Sequence, residues 1–175
     1  MNVKILITGP PRSGKSTLIT KLIKYFNEKQ MSIFGFLTPE VRKGNKRIGF
    51  DIENIYTKER VKLARINKSN SDYRLGKYFV SINGLERIIS NIENIKFTEK
   101  DILVIDEIGK MELFSEKFQD FVLHMFSSNL TIVATIGLTV KHPIKDHLLH
   151  IPDVKLFTLN HKNFQNMLQE IISLI

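Results

Sequence analysis

A chain of 175 residues with 42% hydrophobic and 25% charged residues is long enough to fill one core, and it has the bias of neither a disordered nor a fibrous protein. The absence of cysteine removes disulfides, thiolate metal sites and thiol nucleophiles. A formal charge of +8 favours an anionic partner, and nucleotide, nucleic acid and membrane surface all have the right sign.

Residues 3–8 form an apolar, β-branched run with no basic leader before it and no small-residue cleavage site after it. They read as a first strand rather than a signal peptide. No apolar stretch approaches the ~20 residues of a membrane helix, so a cytoplasmic protein without a membrane partner is expected, acting as a monomer.

The strand meets Gly9-Pro10-Pro11-Arg12-Ser13-Gly14-Lys15-Ser16, a match to GxxxxGK[ST] in the strand-to-helix setting that the motif requires. Glycines at 9 and 14 let the backbone take positive φ and present successive N–H groups to phosphate oxygens. Lys15 is placed to reach the β and γ phosphates, Ser16 to bind Mg²⁺, and Thr17 to hold the α-phosphate side at the helix's positive end. Arg12 occupies a free position of the loop, open to the γ phosphate or to solvent. The following helix spans residues 15–30, with Leu18, Leu22, Ile23 and Phe26 at helical spacing.

Residues 32–40 and 46–55 read as strands joined by a tight turn at Lys43-Gly44-Asn45, and residues 60–66 as a third, giving an antiparallel meander. Pro39 and Gly49 mark irregular or edge positions in it. A polar loop over residues 67–74 and a short strand over 77–82 follow. Asn83 with Glu86 has the pattern of a capping box before the apolar stripe Leu85, Ile88, Ile89 and Ile92.

Residues 101–107 hold the unbroken core Ile102-Leu103-Val104-Ile105, expected of a central parallel strand covered on both faces. The strand ends in Asp106 and Glu107, the pattern of a Walker B segment. Asp106 is the metal-side acid, held to Mg²⁺ directly or through water, and Glu107 is the base for an attacking water. Glu112 reads as a capping or solvent-facing residue, with a place in the site as its second reading. Residues 115–126 are helical and 130–136 are a buried strand. The terminal hydroxyl of that strand, on Thr135, is a candidate to sense the γ phosphate. Pro143 opens a short helix, residues 154–159 form a strand and 161–174 a last helix.

The alternation predicts one α/β domain over residues 1–175, with a mostly parallel central sheet, helices on both faces and an inserted antiparallel hairpin. Arg42 and Arg47 flank the hairpin tip and are the arginines whose planar forks suit a phosphoryl group in its transition state. Arg60, Lys62, Arg65 and Lys68 alternate along a strand and read as an exposed side rather than a nucleic-acid track. His142, His147 and His150 lack a metal-ligand spacing.

Taken together, residues 9–18, 35–42, 47–52, 76–80 and 106–113 resemble the small nucleoside triphosphatases also described as the cancer-related nucleoside triphosphatase family. The resemblance extends over most of the chain. It implies a RecA-like fold and Mg²⁺-dependent hydrolysis of ATP, GTP, CTP and UTP to the diphosphate with loose base choice. It also implies nucleotide contacts for Lys15 and Ser16 and the role of base for Glu107. Gly137 and Leu138 stand where family members often carry a polar residue or a histidine.

Three other functions share parts of this pattern. A nucleoside or nucleotide kinase would use the same loop but needs an acceptor site and a lid, and no arginine-rich lid is evident. A guanine-nucleotide switch would carry Asn-Lys-x-Asp after the acidic strand, whereas Asn67-Lys68-Ser69-Asn70 lies before it and lacks the aspartate. A nucleic-acid-stimulated ATPase would show exposed aromatic platforms, and the phenylalanines sit at buried-looking positions.

Overall fold

The computed structural model describes residues 2–67, 71 and 73–175. Lys68, with residues 69, 70 and 72 of the expected 67–74 loop, lies outside the described residues.

β1 (Lys4–Thr8) leads through the glycine loop into α1 (Lys15–Glu28). The expected 32–40 strand stops early. β2 (Ile33–Leu37) ends before Thr38 and Pro39, and β3 (Glu40–Lys43) starts separately beyond them, since proline cannot donate to a ladder. The expected turn is present, with Lys43 paired to Lys46 across Gly44 and Asn45, and it leads into β4 (Lys46–Asn54) and β5 (Arg60–Arg65). The β4–β5 ladder shifts register between Phe50 and Asp51, next to Gly49.

β6 (Tyr73–Leu75), which begins inside the expected 67–74 loop and runs past its end, pairs with β7 (Tyr78–Val80). Then come α2 (Asn83–Glu93), β8 (Ile102–Ile108), a 3₁₀ turn over Glu112–Phe114, α3 (Glu116–Ser127) and β9 (Thr131–Ile136). The chain closes with α4 (Pro143–His150), β10 (Val154–Thr158) and α5 (Phe164–Leu174).

All the strands belong to one sheet of order β10-β1-β9-β8-β2-β4-β5-β7-β6, with β3 on β4. From β10 to β2 every pairing is parallel, and from β2 onward every pairing is antiparallel. The predicted hairpin is therefore one piece of a larger antiparallel extension.

Strand alternation feeds two cores, one on each face. Leu6, Leu103, Ile105, Ile132 and Ala134 pack with α2, α3 and α4, while Ile5, Ile7, Ile102, Val104 and Val133 pack with α1 and α5. The predicted capping box at Asn83 does not form: Ile82 holds the cap position and no side chain caps the helix. Glu86 is committed elsewhere, accepting a hydrogen bond from Ser115 Oγ at 2.7 Å. Among the described residues no helix is long and apolar enough to cross a membrane.

Candidate active site

Parallel strands bring their carboxyl ends to one edge of a sheet, and ligands of open α/β folds bind outside that edge. Here β1 and β8 lie on either side of β9. The glycine loop after β1 and the acids at the end of β8 therefore open onto a single cavity of about 1220 Å³.

The loop's glycines serve two different purposes. Gly14 takes φ 97°, and Arg12 also enters the left-handed region at φ 65°. Gly9 does not, contrary to the expectation for it. Its requirement is room, because a Cβ there would lie 2.5 Å from the Leu159 carbonyl oxygen and 2.8 Å from Ser13 Oγ. Ser13 N–H closes the turn onto the Pro10 carbonyl at 3.1 Å. Lys15 Nζ folds back onto the carbonyls of Gly9 at 3.1 Å and Pro10 at 3.4 Å, so its charge stands over the loop where phosphate oxygens would come. Pro11, Arg12, Ser16 and Thr17 line the cavity with it, whereas Pro10 and Ser13 lie outside the lining. The buried hydroxyls of Thr8 and Ser13 meet no hydrogen-bond partner among the described residues.

At the other side, the β8–β9 ladder changes register between Ile105 and Ile108, the segment that carries both acids. Asp106 is 5% exposed and accepts a hydrogen bond from Thr135 Oγ1 at 2.6 Å. That bond replaces the expected contact of Thr135 with phosphate: the hydroxyl is fully buried and orients the acid. Burial pushes the Asp106 carboxyl above its ordinary range, against the lowering effect of the Thr135 and Ser16 hydroxyls and the Lys15 charge. Glu107 is also raised, by burial and then by the charge of Asp106, with Lys15 opposing.

Glu112 corrects its solvent-facing reading. It is 3% exposed and lines the cavity. Thr38 Oγ1 donates to its Oε1 at 3.3 Å, and burial, reinforced by the neighbouring Glu107 charge, pushes it up to about 8. Gly109 separates the two acids. A Cβ there would sit 2.5 Å from Glu112 Oε2 and 2.9 Å from Glu107 Oε1. Gly137 stands 3.9 Å, by the same measure, from Glu107 Oε1, so the departure from the family pattern faces Glu107 directly.

Of the two hairpin arginines, only Arg47 reaches the cavity. Arg42 is held outside by Glu40 at 2.7 Å and the Asn45 carbonyl at 3.2 Å. Arg47 is pinned by Glu40 at 2.6 Å and by Tyr78 Oη at 3.0 Å. Both bonds hold its guanidinium more firmly protonated than usual, the Tyr78 contact foremost. Arg60 and Arg65 converge on Asp51, which ties their charge to the sheet. His142 caps α4 through Nδ1, and His150 contacts the Asp146 carbonyl. Thr38, Lys77, Tyr78 and Lys110 also line the cavity. They fall within the segments 35–42, 76–80 and 106–113 that carry the resemblance, but sequence reasoning gave none of them a role, because the fold alone brings these separate segments to one site.

A protein-family model described as NTPase matches residues 4–172. The chain is 42% identical over 99% of its length to nucleoside-triphosphatase THEP1 of Thermotoga maritima, covering 95% of that protein. It is 31% identical over 99% of its length to THEP1 of Archaeoglobus fulgidus, covering 99% of that relative. The crystal structure of THEP1 from Aquifex aeolicus superposes with a TM-score of 0.84 at 32% identity, covering 98% of both chains. The solution structure of a human cancer-related nucleoside triphosphatase gives 0.83 at 31% identity, covering 98% of this chain and 96% of that one.

Proposed function

The chain belongs to the nucleoside-triphosphatase family, and from that premise we propose that it works as one domain which splits the terminal phosphate from ATP, GTP, CTP and UTP with Mg²⁺. The observation that supports this reading is the single cavity shared by the residue 9–17 loop and the buried acids of β8.

The chemistry follows from what each group does in that cavity. Backbone N–H groups of the loop and the start of α1 hold the phosphates, and Lys15 neutralises charge at their β and γ positions. Glu107, with its ionisation resisted by burial and by Asp106, orients the water and takes its proton, a role that suits a carboxylate of raised proton affinity. Thr135 fixes Asp106. Donor chemistry fits magnesium: the Ser16 hydroxyl and the Asp106 carboxylate are hard oxygen ligands, the kind this ion takes beside phosphate oxygens. When bound, the ion neutralises charge on the phosphates. No contact with the triphosphate is assigned to Arg42, which lies off the cavity, or to Arg47, which sits on β4, beyond β2 from the acids of β8, and is held there by Tyr78 and Glu40.

Loose base choice accords with the absence of an Asn-Lys-x-Asp segment after β8 in the sequence. Competition among the four triphosphates checks it, and strict preference for one contradicts it. Nucleic acid is not favoured as a partner, because Arg60 and Arg65 are paired with the two carboxylates of Asp51 and Glu53. The decisive test is Glu107→Gln. Mg·ATP binding should persist while phosphate release falls ~10²-fold or more, in keeping with loss of proton transfer. Turnover at the wild-type rate would remove Glu107 from the mechanism.

A further inference from the structure

The cavity is larger than one nucleotide's phosphates require. Its volume of about 1220 Å³ exceeds the ~300–1,000 Å³ usual for a small-ligand site, and it does not end at Glu107. It continues past Thr38 and Glu112 to a wall made by the antiparallel extension, with Arg47 and Phe50 from β4 and Lys77 and Tyr78 from the β6–β7 hairpin.

That wall lies on the attacking side. The glycine loop and Lys15 mark the end of the cavity where the leaving diphosphate stays, and Asp106 and Glu107 mark the γ end. An in-line displacement brings the entering oxygen from opposite the leaving one, so the nucleophile comes from the side of β8, β2 and the extension. Water alone needs only ~30 Å³ there. A pre-arranged cationic and aromatic wall is more than a water molecule uses.

Its free donors are those of an anion site, with Glu40, which also lines the cavity, taking up one edge of Arg47. Arg47 lies over Phe50, 4.9 Å from the ring centroid, and is fixed by Glu40 and Tyr78. Its remaining nitrogen, Nη2, has no hydrogen-bond partner among the described residues. Lys77 Nζ lies 5.4 Å from the Tyr78 ring centroid. A guanidinium already locked in place loses little freedom on gripping a phosphate. Between wall and base sit Glu112 and Thr38, a buried carboxyl and a hydroxyl in mutual contact, which suit hydrogen bonding to an alcohol.

We propose that this wall is the subsite for a second substrate, a small alcohol carrying a phosphate, whose phosphate pairs with Arg47 and Lys77 and whose hydroxyl stands beside Glu107 in place of water. The inference rests on the nucleoside-triphosphatase site described above. In the step, the alcohol oxygen bonds to the γ phosphorus and the bond from that phosphorus to the β-phosphate oxygen breaks. Its electron pair leaves with the diphosphate, and the alcohol proton passes to Glu107. Nothing beyond the triphosphate and the alcohol is consumed.

The test follows label from γ-³²P-ATP with Mg²⁺ in the presence of ribose 5-phosphate or glycerol 3-phosphate, each at about 1 mM, the top of the ordinary KM range. With at least one probe, label should move from inorganic phosphate into a doubly phosphorylated product, matched mole for mole by ADP. In Lys77→Glu, the share of released label found in that product should fall at least about ten-fold through loss of a charge-assisted contact. Lys77 is exposed, so this variant should fold. Label appearing only as inorganic phosphate with every probe overturns the subsite, as does a transfer share unchanged in Lys77→Glu. Failure of ATP alone to release phosphate would bring down the hydrolytic reading, while label moving into a probe under the same conditions would still uphold the subsite.

Discussion

Three carboxylates share a small space at the end of β8, and one of them, the buried Glu112, holds its proton into the neutral range. Its group is pushed up to about 8 by burial and by Glu107, so it is mostly neutral at pH 7. The consequence for stability has a definite sign. Below the ordinary glutamate value near 4.5 the folded and unfolded chains both carry the proton, and ionisation of the group adds no cost to folding. Above it the unfolded chain releases the proton first, so stability falls as pH rises until the folded group ionises near 8. Glu112→Gln keeps an oxygen for Thr38 and removes the ionisation. Denaturant titrations should find this variant equal to wild type near pH 4 and more stable near pH 8, by on the order of a few kcal/mol. A gap that does not widen with pH would contradict the assignment.

Gly109 makes a sharper claim at the same scale. A methyl group there would meet both Glu112 and Glu107 within 3 Å, at 2.5 and 2.9 Å, so Gly109→Ala must displace one acid or the other. Because misplacing a catalytic group by about 1 Å costs on the order of 10²-fold, phosphate release should drop by ~10–10²-fold while ATP binding, which uses the opposite wall, is kept. Steady-state kinetics alongside nucleotide titration separate the two effects.

Among the elements, the Glu112–Phe114 turn and the start of α3 carry the acids' support. Ser115 Oγ accepts from Phe118 N–H at 3.1 Å and donates to Glu86 Oε1 at 2.7 Å, so one hydroxyl caps α3 and ties it to α2. Ser115→Ala should cost ~1 kcal/mol or somewhat more, as cap deletions do, seen as a fall in Tm of roughly 2–4 °C for each kcal/mol. The same residues show where sequence reasoning stops. β1, the loop and α1 were legible because strand run, glycines and helical stripe all point the same way locally. The Asn83–Glu86 pattern misled because Glu86 bonds to a residue 29 positions away. β6 escaped notice as a strand of three residues, too short for a periodic signal. Burial of Glu112 depends on Thr38, 74 residues distant, and no spacing rule reaches that far. The acids of β8 were readable for the opposite reason, since an apolar run ending in Asp-Glu is itself the signal.

At the scale of the molecule, the parallel half of the sheet and the extension are one continuous surface, and the cavity lies across both. The lysine of the loop makes few contacts of its own: among the described residues Lys15 Nζ bonds only to the carbonyls of Gly9 and Pro10. Stability without nucleotide should therefore come from the two cores, with the loop adding little, whereas nucleotide binds the folded chain alone and must raise its stability by mass action. In Glu107→Gln, which avoids turnover, Mg·ATP at about 100 times its Kd should add ~2.7 kcal/mol, or roughly 5–10 °C in Tm for a domain of this size. Adding Lys15→Ala should leave the ligand-free Tm within about 2 °C and remove most of the ATP-dependent rise. An undiminished rise in that double variant, followed by calorimetric scans at several ATP concentrations, would mean that the triphosphate binds away from the loop, and the shared cavity would lose its claim to be the site.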